Sequence, residues 1–402
     1  MTLDLVSRPL GDFTDQHVHL DDLVGPNDVL FVRGEAGFAG IGCVASGSHS
    51  EVRDALATMR IDKNLEHEGM RGVALGWHSF DGRHGRALVP RLCFGRAEDG
   101  SSWVTFPRHH ESEVALALER RPDSRIASAS YTVRPGVDVD HYLQAVAGAR
   151  DAVRRGELSK AVIARDIFIE SSEPIDLAAL LRRLRGSFGT SYRYSIERFV
   201  GASPELLVER RDDVVRSLPL AGTAPRTGDP TNDARLAVSL RNSAKNQVEH
   251  RVVIDMVHDT LLPWCSYLDW EPEPAVIAVA NVQHLGTRIE GRLSEPLPHV
   301  VDLMQALSPT PALGGYPREA ALQLIERFEG MDRGRYGGAV GWFDHSGNGT
   351  WAVAIRCAEF SDDWRRARLF AGGGIVADSD PQHELAETQA KFQAMLAAIV
   401  RT

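Results

Sequence analysis

Three ionisable side chains near the C-terminus have the spacing of one helix face. Glu384, Glu387 and Lys391 stand at i, i+3 and i+7 after Asp380-Pro381, a pair typical of a helix start. Two carboxylates and an ammonium on one face could bind a divalent metal and an anion together. They could equally form a solvated surface on which Glu387 and Lys391 make an i, i+4 ion pair, and this stretch alone favours the surface.

A third carboxylate, Glu249, is predicted to face the protein core. Residues 232–262 have the pattern of one long helix, and Val252, Val253 and Met256 lie on the same side of it as Glu249. A carboxylate that faces the core must be paired, protonated or bound to a metal. Glu249 is therefore a stronger candidate for chemistry than the C-terminal carboxylates.

Lysine is rare in this chain, because only four of the 45 basic residues are lysine: Lys63, Lys160, Lys245 and Lys391. Coding bias can produce such a composition. However, arginine cannot lose its proton in a protein, whereas a buried lysine can. Lys160 begins an apolar, strand-like run and is either a charge at a sheet edge or a desolvated amine. Lys63 lies in a polar segment that indicates a surface.

Several other residues stand out from their surroundings. Glu205 is an isolated charge in an apolar segment, where a carboxylate at the end of a turn is the simplest interpretation. Gly222 and Thr223 form a predicted turn whose backbone amide could contact a ligand. His284 lies in an apolar strand and is interpreted first as a core histidine. Arg356 is the single charge within an apolar run, where a buried guanidinium requires a carboxylate partner.

His17 and His19 could be two metal ligands on one strand. Without further ligands nearby, two histidines are more often solvent-facing or core residues. A zinc hydrolase built on this pair is therefore the least favoured hypothesis.

Composition excludes several classes of protein. The 402 residues are 43% hydrophobic and 25% charged, which is typical of a globular protein, and the formal net charge of -10 argues against nucleic acid as a partner. No targeting segment and no apolar run of the roughly 20 residues needed to span a bilayer is present. Four separated cysteines indicate free thiols in a reducing cytoplasm.

The predicted elements indicate one large α+β domain rather than alternating βαβ units. Strand-like runs cover residues 29–33, 72–77, 87–94, 103–106, 158–170, 191–199, 217–223, 275–289, 336–343, 350–360 and 366–370. Predicted helices cover residues 140–156, 175–186, 232–262, 300–307 and 317–328, and another begins at Asp380. Three consecutive glycines, residues 372–374, follow the last strand and would let a ligand approach the backbone closely.

Nine ordered motifs from residue 140 onwards resemble the chorismate-utilising enzymes, which include isochorismate, salicylate, anthranilate and aminodeoxychorismate synthases. The motifs are SKAVIARD, GASPELL, LPLAGTAPR, SAKNQVEH, VQHLGT, PTPALGGYP, RYGGAVGW, AIRCAEF and GGGIVADSDPQHELAETQAK. The first third of the chain resembles the family only faintly, through ALGWHSFDG and LVPR. The resemblance implies a single domain over residues 1–402, with a variable part over 1–130 and a catalytic core over 131–402. It also implies mainly antiparallel sheets packed face to face, with helices on the outside.

Within this family the details favour isochorismate synthase, an Mg²⁺-dependent enzyme that converts chorismate to isochorismate. Lys160 stands where ammonia-using members have glutamine, and Ala312 and Leu313 belong to a PTPALGG loop that would shape the ring pocket. Tyr336 is a position at which the family varies, so a salicylate synthase, which also eliminates pyruvate, is an alternative. A chorismate-binding module without turnover is a further alternative.

The resemblance also implies a role for each candidate residue. Lys160 would be the general base for water attack at C2 of chorismate, and Glu205, with a raised pKa, would protonate the departing C4 hydroxyl. Mg²⁺ would be held by Glu249 and Glu387, with Glu384 acting through water.

The remaining candidates would bind the substrate. Arg356, Lys391 and the backbone of residues 373–375 would hold the enolpyruvyl carboxylate beside Tyr336. The substrate-binding set implied by the resemblance is Gly222, Thr223, His284, Ala312, Leu313, Tyr336, Arg356, Gly373, Gly374, Ile375 and Lys391. A cytoplasmic monomer with no membrane or nucleic-acid partner is expected. The downstream product is left open between menaquinone, a catecholate siderophore and another metabolite.

Overall fold

The computed structural model describes residues 4–63, 72–119, 129–279 and 282–400. These residues form the helices α1 (His49–Thr58), α2 (Glu111–Glu119), α3 (Val139–Arg154), α4 (Leu177–Phe188), α5 (Pro230–Asn242), α6 (Ala244–Leu261), α7 (Val300–Leu307), α8 (Arg318–Phe328) and α9 (Pro381–Val400). The strands are β1 (Asp4–Pro9), β2 (Val29–Arg33), β3 (Ala36–Ile41), β4 (Ala45–Gly47), β5 (Arg60–Lys63), β6 (Val73–His78), β7 (Gly85–Val89), β8 (Leu92–Arg96), β9 (Ser102–Pro107), β10 (Tyr131–Pro135), β11 (Lys160–Ser171), β12 (Tyr192–Ile196), β13 (Phe199–Ser203), β14 (Leu206–Arg211), β15 (Val214–Leu218), β16 (Leu220–Pro225), β17 (Cys265–Trp270), β18 (Ala275–Val279), β19 (Val282–Gly286), β20 (Ile289–Leu293), β21 (Gly315–Tyr316), β22 (Ala339–Asp344), β23 (Gly349–Val353), β24 (Cys357–Phe360) and β25 (Arg366–Ile375).

The strands form two large sheets and one small sheet. The larger sheet has the order β10-β11-β25-β24-β13-β12-β2-β3-β8-β9-β1-β5, with β21 paired to the start of β11. The second has the order β17-β20-β15-β14-β23-β22-β6-β7-β4, and the small sheet has the order β16-β19-β18. Adjacent strands are antiparallel except β1 and β5, which run parallel. Strands from the first third enter both large sheets, because β2 pairs with β12 and β6 pairs with β22.

The main core lies between the two large sheets. Phe38 of the larger sheet meets Trp342 of the second edge to face, with ring centroids 4.8 Å apart. The opposite face of the larger sheet is covered by α4 and α9, whose Leu184 and Ile399 pack with Leu369 of β25 in a separate apolar cluster. The predicted α+β class, with mainly antiparallel sheets and helices outside, is therefore confirmed.

The long ladder between β11 and β25 is the frame for the candidate residues. It pairs Ala161 with Ile375 and continues without a break to Glu170 and Arg366. Apolar residues along β11, many of them β-branched, suit a strand buried on both faces. After β25 the chain turns at Asp380, whose carboxylate accepts a hydrogen bond from the His383 amide at the first turn of α9.

Two long predicted elements are wrong in their boundaries. The single helix predicted over residues 232–262 is two helices, α5 and α6. Ser243 has an extended backbone between them, and its hydroxyl caps α6 by accepting from the Asn246 amide. The single strand predicted over residues 275–289 is β18, β19 and the first residue of β20, with Val279 of β18 paired to Val282 of β19.

Other predicted strands are divided by local backbone geometry. Residues 191–199 form β12 and the start of β13, because Glu197 and Arg198 have φ values of 49° and 62°, as a tight hairpin turn requires. Residues 350–360 are divided between β23 and β24, with Arg356 at φ 52° in the break. Residues 87–94 are divided between β7 and β8 around Pro90. The last strand instead continues beyond residue 370, through the three glycines to Ile375.

The cysteines agree with the prediction from composition: Cys43, Cys93, Cys265 and Cys357 are free thiols. No helix among the described residues has the length and apolar character needed to cross a bilayer.

Two buried histidines, His49 and His250, and the half-buried His299 make the folded state sensitive to acid. Burial lowers the pKa of His49 and of His250 to about 4, and it lowers the pKa of His299 to about 3. His299 is also the N-cap of α7, where its Nδ1 accepts from the Val301 amide over 3.1 Å. All three rings are therefore neutral in the folded protein near pH 7.

We expect the free energy of unfolding to fall as the pH is lowered from about 7.5 to about 5, because the unfolded chain then binds more protons than the folded one. The stabilisation contributed by the three neutral histidines is fully present at a pH above about 6.5, the histidine pKa in the unfolded chain. It is lost as the pH falls towards the lowered pKa values of the folded protein. His299→Asn preserves an N-cap and removes one titrating ring, so its stability should depend less on pH. Urea denaturation across this range measures the effect.

His383→Asn is the matched control, because His383 is exposed on α9 and its replacement should leave the parental pH dependence unchanged. A parent protein whose stability does not change over this range would contradict the prediction.

Candidate active site

A cavity of about 680 Å³, counting its open mouth, lies where β11, β25, the small sheet, α6 and α9 meet. Thirteen of the sixteen candidate residues line it: Lys160, Glu205, Gly222, Thr223, Glu249, His284, Ala312, Leu313, Tyr336, Arg356, Gly374, Glu387 and Lys391. Residues separated by more than 200 positions thus share one enclosed space.

Three candidates do not line the cavity: Gly373, Ile375 and Glu384. Successive residues of a strand face opposite sides, so Gly373 and Ile375 point away from the side on which Gly374 lies. The Ile375 side chain is fully buried in a separate cluster with residues of α3 and α8. Glu384 lies on that far side, since a Cβ added at Gly373 would be 2.6 Å from Glu384 Oε2.

Lys160 and Glu249 form a buried ion pair in the wall of the cavity. Lys160 Nζ lies 2.7 Å from Glu249 Oε1, and the two side chains are only 3% and 13% exposed. At this end β11 pairs with β21 and β25, and the Lys160 side chain is buried, so of the two interpretations of Lys160 the desolvated amine is correct and the sheet-edge charge is wrong. A Cβ added at Gly374 would lie 2.7 Å from Lys160 Cε and 2.8 Å from Glu249 Oε1. Glycine at this position therefore makes room for the pair.

Glu205 is a buried acid that is protonated near neutral pH. It lies in the short connection between β13 and β14, and its Oε1 accepts from the Leu220 amide over 3.4 Å. Burial raises the pKa of Glu205 to about 8, although this hydrogen bond and the charges of Lys160 and Arg356 act in the opposite direction. The raised pKa is the direction predicted from the sequence. One cavity therefore contains a buried amine and a buried carboxylic acid.

Arg356 is a buried cation whose hydrogen-bond partner is a histidine. Its Nη2 lies 3.2 Å from His284 Nε2, and its buried Nη1 has no hydrogen-bond partner among the described residues. The predicted carboxylate partner is wrong, because the break between β23 and β24 turns the guanidinium into the cavity. An unpaired buried donor of this kind is suited to an anionic ligand.

His284 is a neutral imidazole that holds this guanidinium in position. His284 Nδ1 lies 2.9 Å from the Gly222 carbonyl oxygen, which can only accept, so Nδ1 carries the hydrogen and Nε2 accepts from Arg356. Burial lowers the pKa of His284 to about 3, and the Arg356 charge adds to this effect. Thr223 Oγ1 is 3.3 Å from the same Nδ1. Both ring nitrogens therefore contact protein groups.

Two residues of the C-terminal face, Glu387 and Lys391, line the cavity, with side chains 32% and 15% exposed. Lys391 Nζ lies 2.6 Å from Glu387 Oε1 and donates to the Gly372 carbonyl over 2.6 Å. Burial raises the pKa of Glu387, but the Lys391 ammonium lowers it. The net effect is a pKa below the usual value for glutamate. Burial, followed by the Glu387 charge, raises the pKa of Glu384 to about 7, while Ser379 Oγ donates to Glu384 Oε1 over 2.8 Å.

The donor set of Glu249, Glu384 and Glu387 fits a hard cation. Repulsion between Glu384 and Glu387, which contributes to the raised pKa of Glu384, is the kind of strain that a divalent ion relieves. The three carboxylates do not converge as a complete ligand cage, since in the described part of the chain only His17, His19 and Glu35 place three such donor atoms within 4.8 Å. Mg²⁺ is normally held by one or two carboxylates together with waters and substrate, which this arrangement permits.

The arrangement of His17 and His19 differs from the prediction of two histidines on one strand without further ligands nearby. Both residues lie outside the strands, and a carboxylate is close by, with Glu35 Oε2 3.2 Å from His19 Nδ1. However, Arg96 Nη1 lies 3.2 Å from the same Glu35 oxygen and 3.3 Å from His17 Nε2. A guanidinium already directed at the donor atoms disfavours a cation there.

Several residues of the cavity wall were missed from the sequence. Strand alternation could have found some of them, because Val162 is two residues after Lys160 and Phe370 precedes Gly374 by four residues. No sequence signal marked the others. The missed lining residues are Val162, Pro204, Leu220, Ala221, Ile355, Phe370 and Ala371, whereas Gly372 belongs to the predicted glycine segment.

Known proteins match this chain over most of its length. The model of the family described as chorismate binding enzyme matches residues 96–400. MenF of Mycobacterium tuberculosis is 39% identical over 390 residues, which cover 94% of this chain and 95% of that protein. Isochorismate synthase DhbC of Bacillus subtilis is 39% identical over 295 residues, covering 71% and 74%. Isochorismate synthase EntC of Escherichia coli is 32% identical over 390 residues, covering 93% and 95%.

Solved structures show the same fold. DhbC from Bacillus anthracis matches with a TM-score of 0.80 at 31% identity, covering 94% of this chain and 98% of that chain. MenF, the menaquinone-specific isochorismate synthase of Escherichia coli, matches with a TM-score of 0.85 at 24% identity, covering 99% and 95%. The resemblance inferred from the nine motifs is confirmed, and the chain belongs to the chorismate binding enzyme family.

Proposed function

We propose that this protein is an isochorismate synthase, which converts chorismate to isochorismate with Mg²⁺. The observation that carries the proposal is the presence in one cavity of a buried lysine, Lys160, and a buried protonated acid, Glu205. Moving a hydroxyl from C4 to C2 of a ring requires a base for the incoming water and an acid for the departing oxygen. The names of the DhbC and EntC relatives support the same activity.

Lys160 is the general base in this proposal. Lys160 first releases the ammonium proton of its ion pair with Glu249 to solvent. The neutral amine then accepts a proton from the water whose oxygen bonds to C2, both double bonds of the ring shift, and the C4–O bond breaks. Arginine could not replace it, because a guanidinium does not lose its proton in a protein. Burial to 3% exposure and close contact with protein groups keep the amine in one place.

Glu205 is the general acid. Since its pKa is about 8, it holds a proton at neutral pH and donates that proton to the departing C4 oxygen, which leaves as water. One water enters and one leaves, so the reaction is an isomerisation. The enzyme is restored when Lys160 loses, and Glu205 regains, one proton through solvent.

The cations of the cavity hold the carboxylates of the substrate. Arg356 Nη1, which has no hydrogen-bond partner among the described residues, and Lys391 would bind the enolpyruvyl carboxylate beside Tyr336. Ala312 and Leu313 would contact the ring. These positive charges attract the dianionic substrate locally, although the net charge of -10 by itself would repel it.

The remaining substrate-binding positions follow from the geometry of the cavity. Gly222, Thr223 and Gly374 line it and offer backbone and hydroxyl groups. His284 would act by holding Arg356. The proposed contacts of Gly373 and Ile375 are withdrawn, because these residues lie on the other side of β25.

Magnesium would be held by Glu249 and Glu387, which both line the cavity. The proposed water-mediated role of Glu384 is withdrawn, because Glu384 lies on the same side of β25 as Gly373 and Ile375. When bound, the ion supplies positive charge that neutralises the ring carboxylate of chorismate.

Purified protein supplied with chorismate and Mg²⁺ should release isochorismate, measured by mass-resolved product analysis. Lys160→Ala should lower turnover by about 10²- to 10⁴-fold, the range typical of a lost general base. Lys160→Arg should lose a similar factor although it keeps a positive charge beside Glu249, which separates the proton transfer from the ion pair. Unchanged chorismate in the parent reaction would overturn the proposal.

The same assay distinguishes the salicylate synthase alternative. Pyruvate that is detected with lactate dehydrogenase and rises with chorismate consumption would indicate that alternative, and isothermal titration that shows binding without conversion would indicate a binding module.

The activity should fall as the pH rises through about 8, because Glu205 then loses the proton that it must donate. The descending limb of the pH profile of kcat/KM measures this pKa, because kcat/KM reports ionisations of the free enzyme. Glu205→Gln should lower kcat by about 10²- to 10⁴-fold at neutral pH and should lack that limb. An unchanged descending limb in Glu205→Gln would show that another group controls it.

Removal of a proposed metal ligand should weaken the response to Mg²⁺. Glu387→Gln is expected to raise the Mg²⁺ concentration for half-maximal activity by about 10-fold or more. Glu326→Gln, which changes an exposed carboxylate on α8, is the control and should keep the parental value. Equal Mg²⁺ responses in the two variants would contradict the assignment.

A further inference from the structure

A second buried ion pair lies directly behind the cavity wall. Arg333 Nε donates to Glu329 Oε1 over 2.6 Å, and Arg333 Nη2 donates to Glu329 Oε2 over 2.5 Å. The side chains are 2% and 1% exposed, so the pair is shielded from solvent. Neither residue lines the cavity. A buried pair of this kind is costly to break, because it leaves one charge unpaired.

The remaining hydrogen bonds of this pair connect two walls of the cavity. Arg333 Nη1 donates to the Leu313 carbonyl over 2.7 Å, and Arg333 Nη2 donates to the Val162 carbonyl over 2.8 Å. Glu329 Oε2 accepts from the Ala164 amide over 2.8 Å. Leu313 belongs to the ring-pocket loop, and Val162 and Ala164 belong to β11, the strand that begins with Lys160. One ion pair therefore spans the gap between the loop and the base-bearing strand.

A third wall depends on the same arginine. The Tyr336 amide donates to the Arg333 carbonyl over 2.9 Å, and the guanidinium lies 5.9 Å from the Tyr336 ring centroid. The Tyr336 ring in turn stacks on Phe370 of β25 with centroids 5.2 Å apart. Phe80 covers the other side of the guanidinium, with its ring centroid 4.2 Å away. The pair thus touches the loop, β11 and the aromatic wall.

We propose that Glu329 and Arg333 are positioning residues that set the distance between the ring pocket at Leu313 and the amine of Lys160. The inference rests on the proposed function, since the distance matters only if the ring must meet a base. Misplacement of reacting groups by about 1 Å can cost about 10²-fold in rate. Arginine suits the role because its planar fork holds a carboxylate and two carbonyls at fixed angles, which a lysine ammonium cannot do.

The chain offers a closely matched control in a different place. Arg193 Nε and Nη2 each donate to the Asp21 carboxylate over 3.0 Å, Nη1 donates to the Gly189 carbonyl, and Nη2 also donates to the Gly34 carbonyl. This pair is also buried, with side chains 1% and 4% exposed. It has the same pattern of two carboxylate and two carbonyl contacts, but it does not touch the cavity.

The test compares Arg333→Lys with Arg193→Lys. Urea denaturation should show a loss of stability in both, since both lose the same set of contacts. Turnover of chorismate per folded molecule should fall by about 10-fold or more in Arg333→Lys alone, with kcat affected more than KM. The Mg²⁺ concentration for half-maximal activity should remain parental in both variants, because neither pair touches Glu249 or Glu387.

A second pair of variants covers the case in which Arg333→Lys does not fold. Glu329→Gln and Asp21→Asn preserve shape and remove one charge each, and kcat should fall only in Glu329→Gln. Equal kcat values per folded molecule in the matched variants would overturn the positioning role while the parental activity stands. A parent that leaves chorismate unchanged would instead overturn the proposed function, and the positioning role with it.

Discussion

The ion pair between Lys160 and Glu249 is the constraint on which the cavity depends. The two charges are almost fully removed from water and stabilise each other, because either charge without its partner would be an uncompensated buried charge. The pair joins the first residue of β11 to the middle of α6, which are 89 positions apart. Gly374 of the neighbouring strand leaves room for both side chains. Ladder, helix and glycine segment therefore form one structural unit.

Burial is the common physical cause of the unusual chemistry around this pair. It raises the pKa of Glu205 so that a carboxyl remains protonated, and it lowers the pKa of His284 so that an imidazole remains a neutral acceptor. The neutral histidine then holds Arg356, which keeps one buried donor without a partner among the described residues. A site that contains an acid, an amine and an unfilled guanidinium is suited to an anionic substrate. The ion pair between Glu329 and Arg333 holds the walls around these groups.

The predicted elements are correct where the local sequence pattern is strong. They are wrong where a single residue interrupts the pattern. The helix over residues 300–307 agrees with α7 residue for residue, because an apolar face and a flanking polar cap define it. The long helix over residues 232–262 failed at Ser243, whose side chain competes for backbone hydrogen bonds and caps a new helix. Strand breaks at Glu197, Arg198 and Arg356 depend on positive φ angles at residues other than glycine, which carry almost no sequence signal.

By itself the sequence determined the family, the α+β class and most of the residue types in the cavity, because ordered motifs and strand alternation are local properties. Only the tertiary structure decided which way each charge faces. Glu384 and Glu387 share one helix face, yet Glu387 lines the cavity, whereas Glu384 packs against the side of Gly373 that faces away from the cavity. The partners of Lys160, Arg333 and Arg356 are likewise set by packing between distant segments, which no local pattern encodes.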